Sequence, residues 1–134
     1  MLRRHTPPTI RAPFANYAHA VGVPAGAELL FTSGQLGIAP DDTVPADTEA
    51  QADLCFANIA AVLADAGLGA ADVVRINAYV VDRADFPAYM RARDRFIGAL
   101  PGPASTLVIV GGFTRAEFRV EVEVVAARLP AAAE

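Results

Sequence analysis

The chain has 134 residues and a formal net charge of −4 at pH 7. Its length predicts one domain over residues 1–134, with a core at about 14–129. The acidic balance and the lack of a basic stripe argue against a nucleic-acid partner, and no apolar run approaches the ~18 residues of a membrane span. With one cysteine and no secretory leader, we expect no disulfide within the chain, no membrane association and a cytoplasmic location.

The first third of the chain predicts two strands joined as a hairpin. Prolines break the opening segment, and we expect residues 1–13, like 130–134 at the other end, to be loosely ordered. Residues 16–21 and 28–35 have the composition of strands, and Pro-Ala-Gly at 24–26 is typical of the turn between them.

A helix and a strand follow. Thr48 and Gln51 have the spacing of a capping box, and Gly67 is a typical helix stop. The apolar residues between them recur at helical spacing, which predicts a helix with a broad buried face. Residues 73–81 are rich in β-branched side chains and predict a strand.

The last third predicts a second helix and two strands. Asp82 begins the helix, with Asp85 at the capping-box position, and Pro101 ends it. Residues 105–110 form the next predicted strand. Residues 118–127 alternate between apolar and polar or charged side chains, which indicates a strand with one buried face.

The predicted order is ββαβαββ. Because each helix connects two strands through a right-handed crossover, we expect an α/β (α+β) fold with one mixed sheet and two helices on one face. The other face of that sheet then lacks a covering layer. A partly apolar, uncovered face favours self-association, so we expect an oligomer.

Glu121 and Glu123 are the first candidates for chemistry. Two residues apart on one strand face, their carboxylates lie ~7 Å apart along the chain. A partly buried carboxylate with a raised pKa can act as a general acid or base, but a solvated strand face would show the same pattern. The pattern alone leaves both interpretations open.

Other polar groups give weaker signals. Thr32, Ser33 and Gly34 at a strand end, and the hydroxyl pair Ser105 and Thr106 at a strand start, could contact a small ligand or simply form turns. The two histidines belong to no cluster with metal-ligand spacing, so we expect no metal site. No nucleotide-binding glycine motif is present.

Several short motifs occur here in the order found in one protein family. They include PFANY at 13–17, FTSGQL at 31–36, AGL at 66–68, DVVR at 72–75 and VEVE at 120–123. With these motifs the chain resembles the RidA/YjgF family, the reactive-intermediate (enamine/imine) deaminases also labelled L-PSP endoribonucleases. The resemblance covers nearly the whole chain.

The resemblance implies a chorismate-mutase-like fold and a homotrimer that binds small-molecule substrates in clefts between subunits. It also implies chemistry without a cofactor, in which water adds to an imine carbon and ammonia leaves. Glu121 matches the family carboxylate that orients or activates the water. Tyr17, Ser33 and Gly34 match positions that line the cleft, and Thr106 stands where many members have a pocket-lining cysteine.

One position departs from the family pattern. Active deaminases of the family read Pro-Ala-Arg-Ser where this chain reads PAST at 103–106, so the arginine that grips the substrate carboxylate is missing, and we expect Ala104 in its place. A bidentate, charge-assisted contact of that kind is worth ~2–4 kcal/mol, and its loss weakens binding roughly 30- to 1000-fold. Either Arg75, Arg115 or Arg119 substitutes for it, or the substrate lacks a carboxylate.

The sequence therefore predicts RidA-like deamination of a small reactive imine or enamine other than the usual 2-iminobutyrate-type substrate. The catalytic candidate is Glu121, and the expected substrate contacts are Tyr17, Ser33, Gly34, Ala104, Ser105 and Thr106. The alternative is a non-catalytic, trimeric small-ligand-binding or chaperone-like protein that kept the cleft. RNA cleavage ranks below both because the chain is acidic and offers no pair of histidines in one motif.

Overall fold

The computed structural model describes residues 1–131. In chain order its elements are β1 (Arg3–His5), β2 (Ala20–Gly22), β3 (Glu28–Phe31), β4 (Gln35–Leu36), α1 (Thr48–Asp65), β5 (Val73–Val80), α2 (Phe86–Ile97), β6 (Ala104–Ile109) and β7 (Val120–Arg128). Short 3₁₀ turns, Ala70–Asp72 and Arg83–Asp85, precede β5 and α2. No helix within residues 1–131 is long and apolar enough to cross a membrane.

The main sheet is built around β7. β5 pairs antiparallel with one side of β7, and β3 and β4 pair antiparallel with its other side. β6 runs parallel to β5, and α2 lies in the connection between these two strands. A mixed sheet with two helices is the α+β architecture that the sequence predicts, and that prediction is confirmed.

The core lies between the sheet and the helices. Along β7, Val120, Val122 and Val124 are buried, and Glu121 and Glu123 alternate with them at half-buried positions. Each fully buried aliphatic side chain stabilises the fold by about 1.5–3 kcal/mol. The helices complete the core with Cys55, Phe56, Ile59 and Leu63 from α1 and Tyr89, Ala92 and Ile97 from α2.

The N-terminal strands pair differently from the sequence prediction. β2 pairs with β1, and β3 pairs with β7, so the predicted hairpin is wrong. Joining the main sheet places Leu30 of β3 opposite the buried Ala126 and against the core. The β1 pairing also orders part of residues 1–13, contrary to expectation, and the predicted loose end at 130–134 lies mostly outside the described residues.

The start of α1 also differs from the prediction. Asp47 is the N-cap, and its carboxylate accepts the backbone N–H of Ala50 at 3.0 Å. Thr48 lies inside the helix and donates its hydroxyl to Asp85 at 2.9 Å. Gln51 is fully buried, and its side-chain amide donates hydrogen bonds to two backbone carbonyls outside the helix instead of closing a capping box. The helix is therefore capped one residue earlier than the sequence predicts.

The second helix begins later than predicted. Asp82 caps the 3₁₀ turn, accepting the N–H of Ala84 at 2.8 Å, and α2 starts only at Phe86. Asp85 makes no capping hydrogen bond. Its buried carboxylate instead binds Thr48 and Arg119, which ties this turn to α1 and to the segment before β7.

The sheet face opposite the helices has no covering layer within residues 1–131. Phe31 of β3 is paired with Val125 of β7 on this face, and Phe31 is 70% exposed. Leu29, on the same face of β3, is also exposed. The uncovered, partly apolar face is as predicted, and self-association stays a prediction.

Candidate active site

The open face of the sheet carries its polar side chains in three rows across neighbouring strands. Since paired residues point to the same side, the register defines each row. The rows, each given from β6 through β5 to β7, are Val108, Tyr79 and Glu121; then Thr106, Asn77 and Glu123; then Ala104, Arg75 and Val125. Carboxylates thus border an aromatic hydroxyl, an amide and a guanidinium.

Glu121 lies against the turn that joins β3 to β4. A Cβ atom added to Gly34 would lie 2.6 Å from Glu121 Cδ, so only glycine leaves room for the carboxylate. The turn is anchored by Thr32, whose hydroxyl accepts the N–H of Val124 at 3.0 Å. The structure therefore brings Gly34, and with it the neighbouring backbone of Ser33, to Glu121.

The electrostatics of Glu121 differ from those of Glu123. Partial burial, and then repulsion by Glu123, raise the pKa of Glu121 above its ordinary value. The Glu121 carboxylate accepts no hydrogen bond from residues 1–131, whereas Glu123 accepts the hydroxyl of Tyr79 at 2.5 Å. The hydrogen bond to Glu123 is the largest cause of the raised pKa of Tyr79. Glu121 is thus the carboxylate of this pair that no side chain or N–H group of residues 1–131 holds by a hydrogen bond.

A second group of predicted contact residues lies at the β6 edge. Ala18 forms an isolated bridge with Ala104, and its N–H donates to the carbonyl of Pro103 at 3.1 Å. This pairing places Tyr17 beside the start of β6. The Tyr17 hydroxyl accepts the N–H of Phe14 at 3.1 Å, which leaves its own proton available.

Ser105 and Thr106 do not act as a pair. Thr106 shares the open face with Asn77, whereas Ser105 points to the helix side of β6. There Ser105 lines a cavity of about 540 Å³ between α2, β6 and the N-terminal segment. The lining residues are Phe14, Ala15, Tyr17, Phe86, Tyr89, Met90, Arg93, Ser105 and Leu107.

Comparison with known proteins identifies the family of this chain. The model of the family described as Endoribonuclease L-PSP matches residues 9–128. The chain belongs to the L-PSP, or RidA/YjgF, family. The 2-iminobutanoate/2-iminopropanoate deaminase of Escherichia coli K12 is 32% identical over 123 residues, which cover 90% of this chain and 94% of that protein.

Solved structures of the family have the same fold. A Rid-family protein of unknown function, YyfB from Yersinia pestis, matches with a TM-score of 0.81 at 28% identity, covering 95% of this chain and 98% of that one. E. coli TdcF with bound serine matches with a TM-score of 0.70 at 27% identity, covering 89% and 91%. The expected family and fold are therefore confirmed.

The predicted contact residues of this L-PSP family member form two sets, one around Glu121 and one at the start of β6, which lie far apart on one chain. Glu121 and Ala104 are two strands apart across the sheet and four residues apart along it. With ~4.8 Å between strands and ~3.3 Å per residue, their Cα atoms are ~16 Å apart. A small substrate cannot contact both residues of the same chain.

The predicted substitute cations have different surroundings. Arg75 is paired with Ala104 and donates to the Thr106 hydroxyl at 2.7 Å, and it forms no salt bridge within residues 1–131. Arg119 binds the carboxylate of Asp85 at 2.9 Å and is thereby neutralised on the α1 side. Arg115, in turn, pairs with Glu117 at 2.9 Å in the loop before β7. Of these three, only Arg75 lies on the open face beside Ala104. Matched letter by letter, Pro-Ala-Arg-Ser and PAST set Ser105 opposite the family arginine, so the expected replacement at Ala104 is wrong by one position.

Arg93 of α2 is a buried charged residue to which the sequence prediction assigns no role. Its side chain is 1% exposed, and its guanidinium donates to the carbonyl of Asn16 at 2.5 Å. Its acidic neighbour, Asp94, is 3.4 Å away and largely exposed. The sequence signal that could have identified Arg93 is a charged residue at a helical position that faces the core. Within residues 1–131, no group of three His, Cys, Asp or Glu side chains is placed to hold a metal ion.

Proposed function

We propose that this protein is a Rid-type deaminase that hydrolyses a small reactive imine or enamine. The observation that carries the proposal is the Glu121 carboxylate, half-buried against Gly34, free of hydrogen bonds to residues 1–131 and raised in pKa. A carboxyl group whose pKa moves towards neutrality can both accept and return a proton during one turnover. The relatives named as deaminases support the same reaction class.

The reaction needs no oxidant or reductant. Water adds its oxygen to the C=N carbon while Glu121 accepts a proton, which forms a carbinolamine. That proton passes to nitrogen, the carbinolamine hydroxyl then gives its own proton to nitrogen through Glu121 as the C–N bond breaks, and a carbonyl compound and ammonia leave. Backbone N–H groups near Ser33, between β3 and β4, and near Thr106, in the edge strand β6, are the candidates to stabilise developing charge.

The separation of these two sets supports a cleft shared between subunits of a homotrimer. One chain supplies Glu121, Ser33 and Gly34, and its neighbour supplies Tyr17 and the start of β6. The uncovered sheet face, with Phe31 70% exposed, provides apolar surface for that assembly. Light scattering coupled to gel filtration tests it; a monomer at micromolar concentration would contradict a shared cleft.

The missing arginine makes the usual small 2-imino acids poor substrates in this proposal, because neither Ala104 nor Ser105 offers a charge to a carboxylate. Arg75 is the candidate replacement, since it lies directly beside Ala104 and, within residues 1–131, is bound only to a hydroxyl. The Arg75 side chain starts from the neighbouring strand, so its geometry towards a substrate differs from that of the family arginine. We therefore expect activity on 2-iminobutyrate at least about 30-fold below that of relatives with the arginine.

Replacing Glu121 by glutamine tests the catalytic assignment. The imine is generated in place by an amino-acid oxidase, and its hydrolysis is measured by the loss of semicarbazone formed with added semicarbazide. Glu121→Gln should lower kcat about 10²- to 10⁴-fold, because general-base catalysis is lost. Glu123→Gln, a matched control on the same strand face, should retain most activity. Equal activity of both variants and the unmodified chain would remove Glu121 from the mechanism.

The second candidate function is a trimeric ligand-binding or chaperone-like protein that does no chemistry. The missing family arginine favours it, because the charged contact with a carboxylate is lost. Thermal stabilisation by a metabolite whose concentration stays constant during hours of incubation would support this function over deamination.

A further inference from the structure

Tyr79 lies directly across from Glu121 but binds the other carboxylate of the open face. In the antiparallel register, Tyr79 of β5 pairs with Glu121 of β7, and Asn77 pairs with Glu123. The Tyr79 hydroxyl nevertheless donates to Glu123 Oε1 at 2.5 Å. Diagonal neighbours on one face of a sheet are ~7–8 Å apart, which is within reach of an aromatic side chain. Tyr79 therefore stands beside Glu121 and at the same time holds Glu123.

The Glu123 side chain is held in place by this single hydrogen bond. Within residues 1–131 it accepts no other side-chain or N–H donor, and Asn77, directly across from it, does not bind it. Glu121 and Glu123 are ~7 Å apart along β7 and repel each other when both are ionised. Because Glu123 is only half-buried, its carboxylate would turn away from Glu121 into water if the Tyr79 hydroxyl were absent.

Glu123 is the charged group that most affects Glu121, because partial burial and then Glu123 raise the pKa of Glu121. Other titratable groups face the same region from β5, from the segment before β7 and from α1; they are Arg75, Arg119 and Cys55. Arg75 lies two rows away beside Thr106, and Arg119 is paired with Asp85. Burial raises the pKa of the Cys55 thiol to about 12, so it carries no charge at neutral pH. The turn between β3 and β4 and strand β6 have no titratable side chain.

Tyr79 acts on Glu123 as a hydrogen-bond donor and not as a base. The hydrogen bond to Glu123, followed by desolvation, raises the pKa of Tyr79, so its hydroxyl keeps its proton throughout the neutral range. A hydroxyl that donates to a carboxylate forms a short, charge-assisted bond that favours the ionised form of the acceptor. The Tyr79 hydroxyl thus holds a negative charge at a defined place on the open face.

We propose that Tyr79 is a positioning residue whose hydroxyl fixes the Glu123 carboxylate beside Glu121, so that Glu123 stays a fixed negative charge and Glu121 is the carboxylate that exchanges protons. This inference rests on the proposed deamination, in which Glu121 accepts a proton from water and later returns it. Tyr79 itself touches neither water nor substrate in that reaction, and its proton stays on its own oxygen.

A titration of Glu121 by NMR tests this role without any substrate. The chain has six glutamates, so labelling their side-chain carboxyl carbons with ¹³C gives few signals, and the loss of one signal in Glu121→Gln assigns that of Glu121. Tyr79→Phe keeps the ring and removes only the hydroxyl. Because the released Glu123 carboxylate moves away, the titration midpoint of Glu121 should fall by about half a pH unit.

A double variant shows whether the hydroxyl acts through Glu123. Glu123→Gln removes the negative charge and should itself lower the midpoint of Glu121. Adding Tyr79→Phe to Glu123→Gln should then cause no further change, because no charge is left for the hydroxyl to fix. An unchanged Glu121 midpoint in Tyr79→Phe would overturn the inference, and so would a second fall of the same size in the double variant.

The pH profile of imine hydrolysis provides the second readout. Tyr79→Phe should move the acid limb of kcat/KM to lower pH by the same half unit, leave KM at neutral pH unchanged and lower kcat about twofold, because a weaker base accepts the proton less readily. A merely structural role of Tyr79 would change the urea midpoint and leave the acid limb in place. Absence of hydrolysis would count only against the deaminase, whereas an unmoved Glu121 midpoint in an active enzyme would count only against Tyr79.

Discussion

Gly34→Ala is the substitution that most directly tests the geometry of the catalytic carboxylate. The added Cβ atom would lie 2.6 Å from Glu121 Cδ and 2.9 Å from both carboxylate oxygens. Ordinary carbon contacts need about 3.5 Å, so the carboxylate must move by about 1 Å. The displaced atoms are the end of a flexible side chain, and the cost in folding free energy should stay below about 1 kcal/mol.

Catalysis should respond much more strongly than stability. A misplacement of about 1 Å can lower the rate about 10²-fold, because the reacting groups leave their productive geometry. We expect Gly34→Ala to lower kcat on the best imine substrate about 100-fold while the urea midpoint changes little. Gly111→Ala is the matched control, since no atom lies within 4 Å of its added Cβ. Unchanged kcat in Gly34→Ala would refute the role assigned to this contact.

Three further predictions concern proton transfer, the core and assembly. Because the folded-state pKa of Glu121 is raised, the acid limb of kcat/KM should lie above pH 4.5, and Glu123→Gln should move it to lower pH by removing a negative charge; a limb that stays in place contradicts this coupling. Because its pKa is raised in the folded state, Glu121 stabilises the fold at pH values below 4.5. This contribution is lost as the pH rises through the pKa of the folded state. Gln51→Leu should lower the free energy of unfolding in urea by about 3–5 kcal/mol, since its buried amide serves two carbonyls and one N–H. Phe31→Asp should dissociate the proposed trimer and abolish activity together; an active monomer contradicts the shared cleft.

The main sheet was predictable because its signals are local and strong. The alternation along 118–127 defined β7, and the β-branched run after Gly67 defined β5. β1 has the sequence Arg-Arg-His, with every residue exposed, so no apolar alternation announces it. β1 pairs with a strand that is distant in the sequence, β2, and local composition does not predict such a pairing.

The candidate site was predictable in its residues but not in its grouping. Family motifs led to Glu121, Ser33, Gly34 and Tyr17, whereas their division into two distant sets depends on strand register. Ser105 and Thr106 were treated as a hydroxyl pair, yet neighbouring residues of a strand point to opposite faces. That separation assigns Ser105 to the cavity and leaves Thr106 on the open face.

Ala104→Arg tests whether a guanidinium on the open face at the start of β6 determines the substrate. In the parallel register position 104 is the neighbour of Arg75, so a second guanidinium would lie ~5 Å away and be repelled. We therefore expect Ala104→Arg alone to raise kcat/KM for 2-iminobutyrate only severalfold. Ala104→Arg combined with Arg75→Thr removes the repulsion and should approach the 30-fold gain expected for a charge-assisted contact.

The order of these gains separates the two explanations for Ala104. If Arg75 is the cation that binds the substrate carboxylate, Arg75→Thr alone lowers kcat/KM for 2-imino acids. The double variant Ala104→Arg with Arg75→Thr then restores kcat/KM through a lower KM. If the natural substrate has no carboxylate, Arg75→Thr leaves turnover of that substrate unchanged while Glu121→Gln still abolishes it. A double variant no better than Arg75→Thr alone would mean that position 104 of this chain does not face the substrate.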